Sequence, residues 1–447
     1  MSNQTEHLTC DVVIVGCGVA GLYCALNLPR QLSVIMLAKN SIEECDSMLA
    51  QGGICVQHGD DDYAPFFEDT LRAGHFENRR ESVDLMIRAS RSVIKNLVDL
   101  GVDFSRNHDG SLRYTREGAH SRARICYHED TTGAEITTKL LDAVRKLPNV
   151  HIHENTCMDD ILVKRNSDEL GLQAARQVCR TRNTRERCCG IVAHGKNGRT
   201  ISIAASATVW ACGGIGGTYK RSTNFPCLTG DALRIAQAHD IALEHTDYVQ
   251  IHPTSLFTPK PGRAFLISES CRGEGAMLLN AQGKRFTDEL QPRDVVSAAI
   301  EQQMAKEGSD HVLLSFSKVP KDEIVSHFKH IYEHCLAEGY DITREPIPVV
   351  PAQHYFMGGV HVDRYSATTM PALYAIGETS CNGVHGENRL ASNSLLESLV
   401  FSQRAAWDIA RERHLPTPFP QTYSEYPTGA EAKAYKEFCM IKEAVCA

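Results

Sequence analysis

The run Val15-Gly16-Cys17-Gly18-Val19-Ala20-Gly21 is the first stretch of the 447-residue chain whose spacing suggests chemistry. Glycines in the pattern G-x-G-x-x-G, directly after a strand and opening a helix, let the backbone approach a pyrophosphate at the positive end of that helix. The motif alone does not separate FAD from NAD. At the end of the next strand, however, the sequence reads Leu37-Ala38-Lys39-Asn40, with no carboxylate to hold a ribose. NAD binding is thereby disfavoured, and Lys39 is left to hydrogen-bond or pair with an adenosine half. A second cluster, from Asp46 to Ile54, groups small and amide residues around Gly52 and Gly53, which suits close backbone approach to a flat ring or phosphate. Ala211-Cys212-Gly213-Gly214 and Thr229-Gly230-Asp231 form a third signal, and Gly377-Glu378 with Asn393-Ser394-Leu395-Leu396-Glu397 a fourth. So many glycine-containing turns are more than NAD needs. They fit a long cofactor threaded across one domain.

Polar groups supply the remaining signal. They are Glu117 and His120, then Gln250, His252 and Thr254, then Ser268, Glu269, Arg272 and Glu274, and finally Arg293, Asp294, His354 and Arg389. Taken singly, a histidine of this kind more often satisfies a core and an arginine more often solvates a surface. Two cations that fork onto carboxylates, together with two imidazole donors, suit a small dicarboxylate.

The elements that must position these groups are legible in the hydrophobic pattern. Cys10 to Val15 reads as a strand, Val19 to Leu28 as a helix and Leu32 to Leu37 as a second strand. That βαβ unit predicts a parallel sheet covered on both faces, hence a doubly wound α/β fold. Apolar residues three and four apart between Glu81 and Leu100 predict an amphipathic helix. Val150 to Val163, Gly190 to Ile203 and Ala205 to Ala211 read as strands, with a polar insert, Arg165 to Arg187, as a surface hairpin tip. From Ile241 to Pro351 the texture changes to short strands and prolines, with a helix near Val295 to Lys306, before a strand pattern resumes at Ala372 to Ile376. This segment reads as an insertion. The tail, Thr428 to Ala447, is helical in composition.

Composition narrows the classes further. With 42% hydrophobic and 23% charged residues and a net charge of −8, the chain has globular proportions and lacks the basic surface of a nucleic-acid binder. No apolar run approaches the roughly 18 residues of a membrane span, and the polar start lacks a secretory layout, so a cytoplasmic protein is expected. The 17 cysteines are scattered and never spaced C-x-x-C, which favours packing in a reducing compartment over metal binding.

The strings AQGGI, VQIHPT, RGEGA, PRDVV, HYFMGGV and NRLASNSLLE, in this order between Leu8 and Ala410, resemble the succinate dehydrogenase and fumarate reductase flavoprotein family. The resemblance implies a Rossmann-like FAD-binding domain (1–239 and 354–412) interrupted by an α+β capping domain (240–353), with a short tail (413–447). It implies that Gly16, Gly18, Val19, Ala20 and Gly21 cradle the FAD pyrophosphate beside Lys39 and Ser47. Ala50, Gln51, Gly52 and Gly53 would line the flavin, with Asp231, Glu378, Ser394 and Leu395 completing the site. His252, His354 and Arg389 would hold substrate carboxylates, with Ser268 or Thr254 adding a hydroxyl. Arg293 matches the family's proton-shuttling arginine, a role that requires a buried, strongly polarised relay.

Within the family, TREGAHSRARI and the length point to members that oxidise L-aspartate. The implied reaction gives iminoaspartate by hydride transfer from Cα to flavin N5, with dioxygen or fumarate as acceptor. It would feed quinolinate and NAD synthesis, with functional coupling to quinolinate synthase. Glu117 would take or hold a proton of the α-ammonium. A soluble fumarate reductase or succinate dehydrogenase flavoprotein is the alternative, and a catalytically idle flavoprotein subunit a further one. Two departures carry expectations. Asp46 stands where covalent flavoproteins place a histidine, so FAD should be non-covalent. Only a short tail follows Arg389, so the family's C-terminal helical domain is expected to be largely absent.

Overall fold

The computed structural model describes residues 5–165, 186–260, 262–419, 421–423, 431, 433 and 435–436. The expected hairpin tip lies almost entirely, and the helical tail largely, outside these residues.

The strand Glu6–Val15 is the centre of the main sheet. Its first half alternates between exposure and partial burial, and its last four residues are wholly buried, as a parallel strand covered on both faces must be. It pairs in parallel with Val34–Leu37 on one side and with Thr200–Trp210 on the other. The sheet runs 150–153, 34–37, 6–15, 200–210, 186–195, 156–165, and Leu373–Ala375 joins in parallel beside the end of Thr200–Trp210. The helix Val19–Asn27 is buried along its whole length and packs against Asn393–Glu412, because a second helix covers the face it presents to solvent in a simpler βαβ unit.

Local boundaries differ from the sequence pattern in two places. The apolar run after Val150 is broken by Asn155, whose φ of +53° turns the chain. Val150–His153 therefore stays in the parallel sheet, while Thr156–Arg165 pairs antiparallel with Glu186–Gly195. Conversely, the runs expected to be separate around Ala204 are one strand, Thr200–Trp210, since Leu8, Thr9 and Cys10 stay in register with Ile203, Ala204 and Ala205.

A second, antiparallel sheet is ordered 249–256, 347–356, 312–315, 277–279. It has its own apolar core, which includes Ile267, Leu278, Val296, Ile300, Leu314 and Val349, beneath the helix Arg293–Glu307. The chain then returns to the first sheet at Leu373–Ala375. The parallel strands 6–15, 200–210 and 373–375 end at one edge, so the turns at Gly16, Ala211 and Ile376 open together at the carboxyl ends, where doubly wound sheets bind ligands.

Candidate functional site

One cavity runs from those turns to the second sheet. Its far end is a bare-backbone cradle. Gly16 holds φ +116°, and a Cβ there would stand 1.9 Å from the Ala211 carbonyl oxygen. Gly21 is beneath the cradle rather than on its surface: its Cβ would meet the Gly16 carbonyl oxygen at 2.1 Å, so the glycine lets the helix sit directly on the turn. The Val19 amide at the helix start donates to Ser47 Oγ at 3.1 Å. Val19, Ala20 and Ser47 line the space together with Gly18. Lys39 also lines it, but its ammonium donates to Cys227 O (2.8 Å), Thr229 Oγ1 (2.9 Å) and Asp231 Oδ2 (2.7 Å). Lys39 and Asp231 thus close the 227–231 turn against the second strand.

Midway, Ala50, Gln51, Gly52 and Gly53 form one wall, and Glu378, Ser394 and Leu395 contribute the other. Gln51 Oε1 is buried without a partner. A Cβ on Gly214 would lie 2.3 Å from Glu378 Oε1, which itself accepts the Phe356 amide at 2.9 Å. Burial, and then the nearby Asp46, push the Glu378 carboxyl up to about 8. Asp46 accepts the Phe225 amide through Oδ1 at 2.9 Å, while Oδ2 is sealed and partnerless; burial pushes this carboxyl up to about 7. A glycine turn, a helix N-terminus and an orphan amide in one elongated space fit the dinucleotide and ring of FAD.

The near end is polar. The fold brings Glu117, His252, Ser268, Arg293, His354 and Arg389 to it, from segments far apart in sequence. His252 Nδ1 lies between the Thr254 carbonyl oxygen (3.1 Å) and the Thr254 amide (3.2 Å), and its Nε2 is buried with no partner among the described residues. His354 is held by Thr223 Oγ1 at 2.8 Å, its ring centroid 5.1 Å from that of His252. Burial, then Arg293, drive both imidazoles well below their ordinary pKa, so both are neutral. Arg389 lies over the Tyr355 ring, donates from Nη1 to Ser394 Oγ at 3.0 Å, and leaves Nε without a partner. Burial, and then Arg293, lower Arg389 to about 10. Thr254 does not reach the cavity: its hydroxyl donates to the Ile267 carbonyl at 2.9 Å, and Ser268 lines the space instead.

Arg293 begins its helix with Nε 2.5 Å from Glu269 Oε2 and Nη1 2.8 Å from Gln250 Oε1. Arg272 Nη2 lies 3.5 Å from the same Glu269 oxygen. Burial opposes the charge of Glu269, but Arg293 and Arg272 outweigh it and hold the carboxyl below its usual range. Glu117 has the opposite balance. Burial, then Glu269, raise its pKa, although Ser270 Oγ (2.7 Å) and Ser392 Oγ (2.6 Å) each donate to one of its oxygens. His120 is displaced from the site. Its ring bonds the Ala391 carbonyl and Arg124, within the buried ion-pair network of Arg124, Asp62 and Asp69.

Ser270 and Ser392 were not singled out by sequence reasoning, because a serine carries no signal without its partner. Glu269 and Arg272 are visible in LISESCRGEGA, but their pairing with Arg293 is tertiary. Among the described residues every cysteine is free, and burial raises the thiols of Cys17 and Cys212, which line the cradle.

Residues 11–395 match the family model described as FAD binding domain. The chain is 48% identical over 400 residues to an L-aspartate oxidase of Clostridium perfringens, which covers 89% of this chain and 86% of that protein. It is 39% identical over 435 residues to an L-aspartate oxidase of Pseudomonas aeruginosa, covering 94% and 78%. Among solved structures, a quinol-fumarate reductase with menaquinol molecules aligns with a TM-score of 0.81 at 28% identity, covering 98% of this chain and 76% of that one.

Proposed function

The chain belongs to the L-aspartate oxidases of the succinate dehydrogenase and fumarate reductase flavoprotein family, and from that membership we propose how its residues divide the work. The protein is an FAD-dependent oxidoreductase that converts L-aspartate to iminoaspartate, a step of NAD biosynthesis. When bound, FAD supplies the acceptor for the Cα hydride and returns the electrons to dioxygen or fumarate. The cradle around Gly16, Gly18 and Ser47 holds its pyrophosphate, and Gln51 and Glu378 flank its ring and ribityl portions. Asp46 offers no imidazole for a covalent bond, which supports non-covalent attachment.

Arg389, His252 and His354 clamp the two carboxylates, with Ser268 adding a hydroxyl. Fixing both ends of a four-carbon acid leaves Cα no freedom to wander, and such positioning accounts for a large share of the barrier lowered. Glu117 takes a proton from the α-ammonium, so that nitrogen has a lone pair to receive the developing C=N bond. Arg293, polarised by Glu269, neutralises the substrate and passes a proton when fumarate is the acceptor. Residues 240–353 act as a cap over the unit made of 1–239 and 354–412. The enzyme works in the cytoplasm, and because an imine hydrolyses in water, its product is coupled to quinolinate synthase.

The observation that carries this reading is the buried Glu117 carboxyl in an arginine- and imidazole-lined cavity, a group whose ionised form suits a substrate with an amino group. Anaerobic aspartate should bleach the yellow absorbance of the holoenzyme, and fumarate or air should restore it. Bleaching by succinate but not by aspartate would overturn the reading.

A further inference from the structure

Glu117 lies on the loop after Tyr114–Thr115, and Ser270 on the short helix Glu269–Gly273, so the 2.7 Å bond from Ser270 Oγ to Glu117 Oε1 joins elements 153 residues apart. Ser392 Oγ holds the other oxygen at 2.6 Å. Gly52 closes the same side, since a Cβ there would stand 2.7 Å from Oε1. Glu117 is only 3% exposed and Ser270 4%, so the contact between them is largely withdrawn from bulk water. We propose that Ser270 is a positioning residue whose hydroxyl sets, through Glu117, the site's choice between amino-dicarboxylates and plain dicarboxylates, an inference that rests on the L-aspartate reading above.

The charges around Glu117 give the reason. Arg293, Arg389 and Arg272 are cationic and Glu269 is anionic, while His252 and His354 are neutral. Protonated Glu117 therefore suits a plain dicarboxylate dianion. An amino-dicarboxylate brings one more positive charge, which ionised Glu117 offsets. An unbalanced charge in a closed site is strongly disfavoured. Burial, and then Glu269 from the neighbouring helix, raise the Glu117 pKa. Ser392, Ser270 and Arg293 act in the other direction, and Arg272 and the Cys55 thiol are further titratable neighbours. A hydroxyl both donates and accepts. Ser270 donates to the carboxylate when Glu117 is ionised, and accepts from the acid when it is not. In the first state Ser268 Oγ donates to Ser270 Oγ at 3.2 Å, and in the second that bond reverses, with Ser270 donating to Ser268. An alanine satisfies neither state.

The test compares wild-type holoenzyme with Ser270→Ala and Ser270→Thr, following aspartate oxidation and fumarate reduction by an artificial donor across pH. A hydrogen bond to a charged group is worth enough that Ser270→Ala should lower kcat/KM for aspartate about tenfold or more relative to fumarate reduction. Losing a donor to the anion should also move the acid limb of the aspartate profile to higher pH. Ser270→Thr, which keeps the hydroxyl, should restore both. Equal losses in the two reactions, or an unmoved acid limb in Ser270→Ala, would overturn the role of Ser270. Absence of aspartate turnover in the wild type would instead refute the parent reading, and the inference with it.

Discussion

Replacing Glu117 by glutamine removes one charge and leaves the shape. The amide oxygen still accepts from one serine, and the amide N–H donates to the other, whose hydroxyl can accept, so both contacts at 2.7 and 2.6 Å survive. The fold and the flavin cradle should be unaffected. On the proposed reading, what disappears is the anion opposite the substrate ammonium and the acceptor for its proton. A charge-assisted contact in a closed site is worth about 2 to 4 kcal/mol, and each 1.36 kcal/mol is tenfold in rate. Aspartate kcat/KM should therefore fall by roughly thirtyfold to nearly a thousandfold. Fumarate reduction presents only vinyl carbon at that position, and glutamine mimics the protonated acid, so it should change by less than about threefold. Steady-state assays of both reactions on the same flavin-loaded preparation measure the two effects. Little change in either would mean that Glu117 only fills space. Equal loss in both would mean that it holds the polypeptide together at the Ser270 and Ser392 contacts, and would remove the argument that the carboxyl selects an amino acid.

Acid precipitation of the holoenzyme should leave the yellow colour in the supernatant; flavin fluorescence travelling with the protein on a denaturing gel would refute non-covalent binding. Gly21→Ala should lose FAD and lower the thermal midpoint, because the new methyl would stand 2.1 Å from the Gly16 carbonyl oxygen; full flavin content after purification would contradict that contact. Asp46 ionises near 7 in the folded apoprotein because it is buried, against about 4 in an unfolded chain, so its contribution to stability declines as pH rises from 4 to 7 and stays low above that. Asp46→Asn should accordingly stabilise the apoprotein by at most about 4 kcal/mol above pH 7, and progressively less towards pH 4, in denaturant titrations; a gain independent of pH would refute the assignment.

Much of the cofactor cradle is local, and so it can be read from the sequence. The turn at Gly16 needs a positive φ and no side chain, and that requirement is written in seven consecutive residues with a strand before and a helix after. The same holds for the helix Arg80–Asp99, whose apolar period is intrinsic to it. The polar end of the cavity is different. Its groups come from segments up to 275 residues apart, and each has an ordinary alternative use that its neighbours in sequence cannot exclude. Thr254 and Ser268 were equivalent hydroxyls until the bond to the Ile267 carbonyl took one of them away. Lys39 was a free cation until Asp231 was folded beside it. Asn155 ended a strand that its apolar flanks would have continued, because a left-handed residue redirects the chain whatever follows. Residue types and local period marked a long-cofactor cradle and polar groups that suit a small dicarboxylate, and the ordered family strings gave them roles. Which hydroxyls and charges surround Glu117, and hence its affinity for a proton, was decided only where distant segments exclude water from the same carboxyl, since burial and paired charge are properties of the packed neighbourhood.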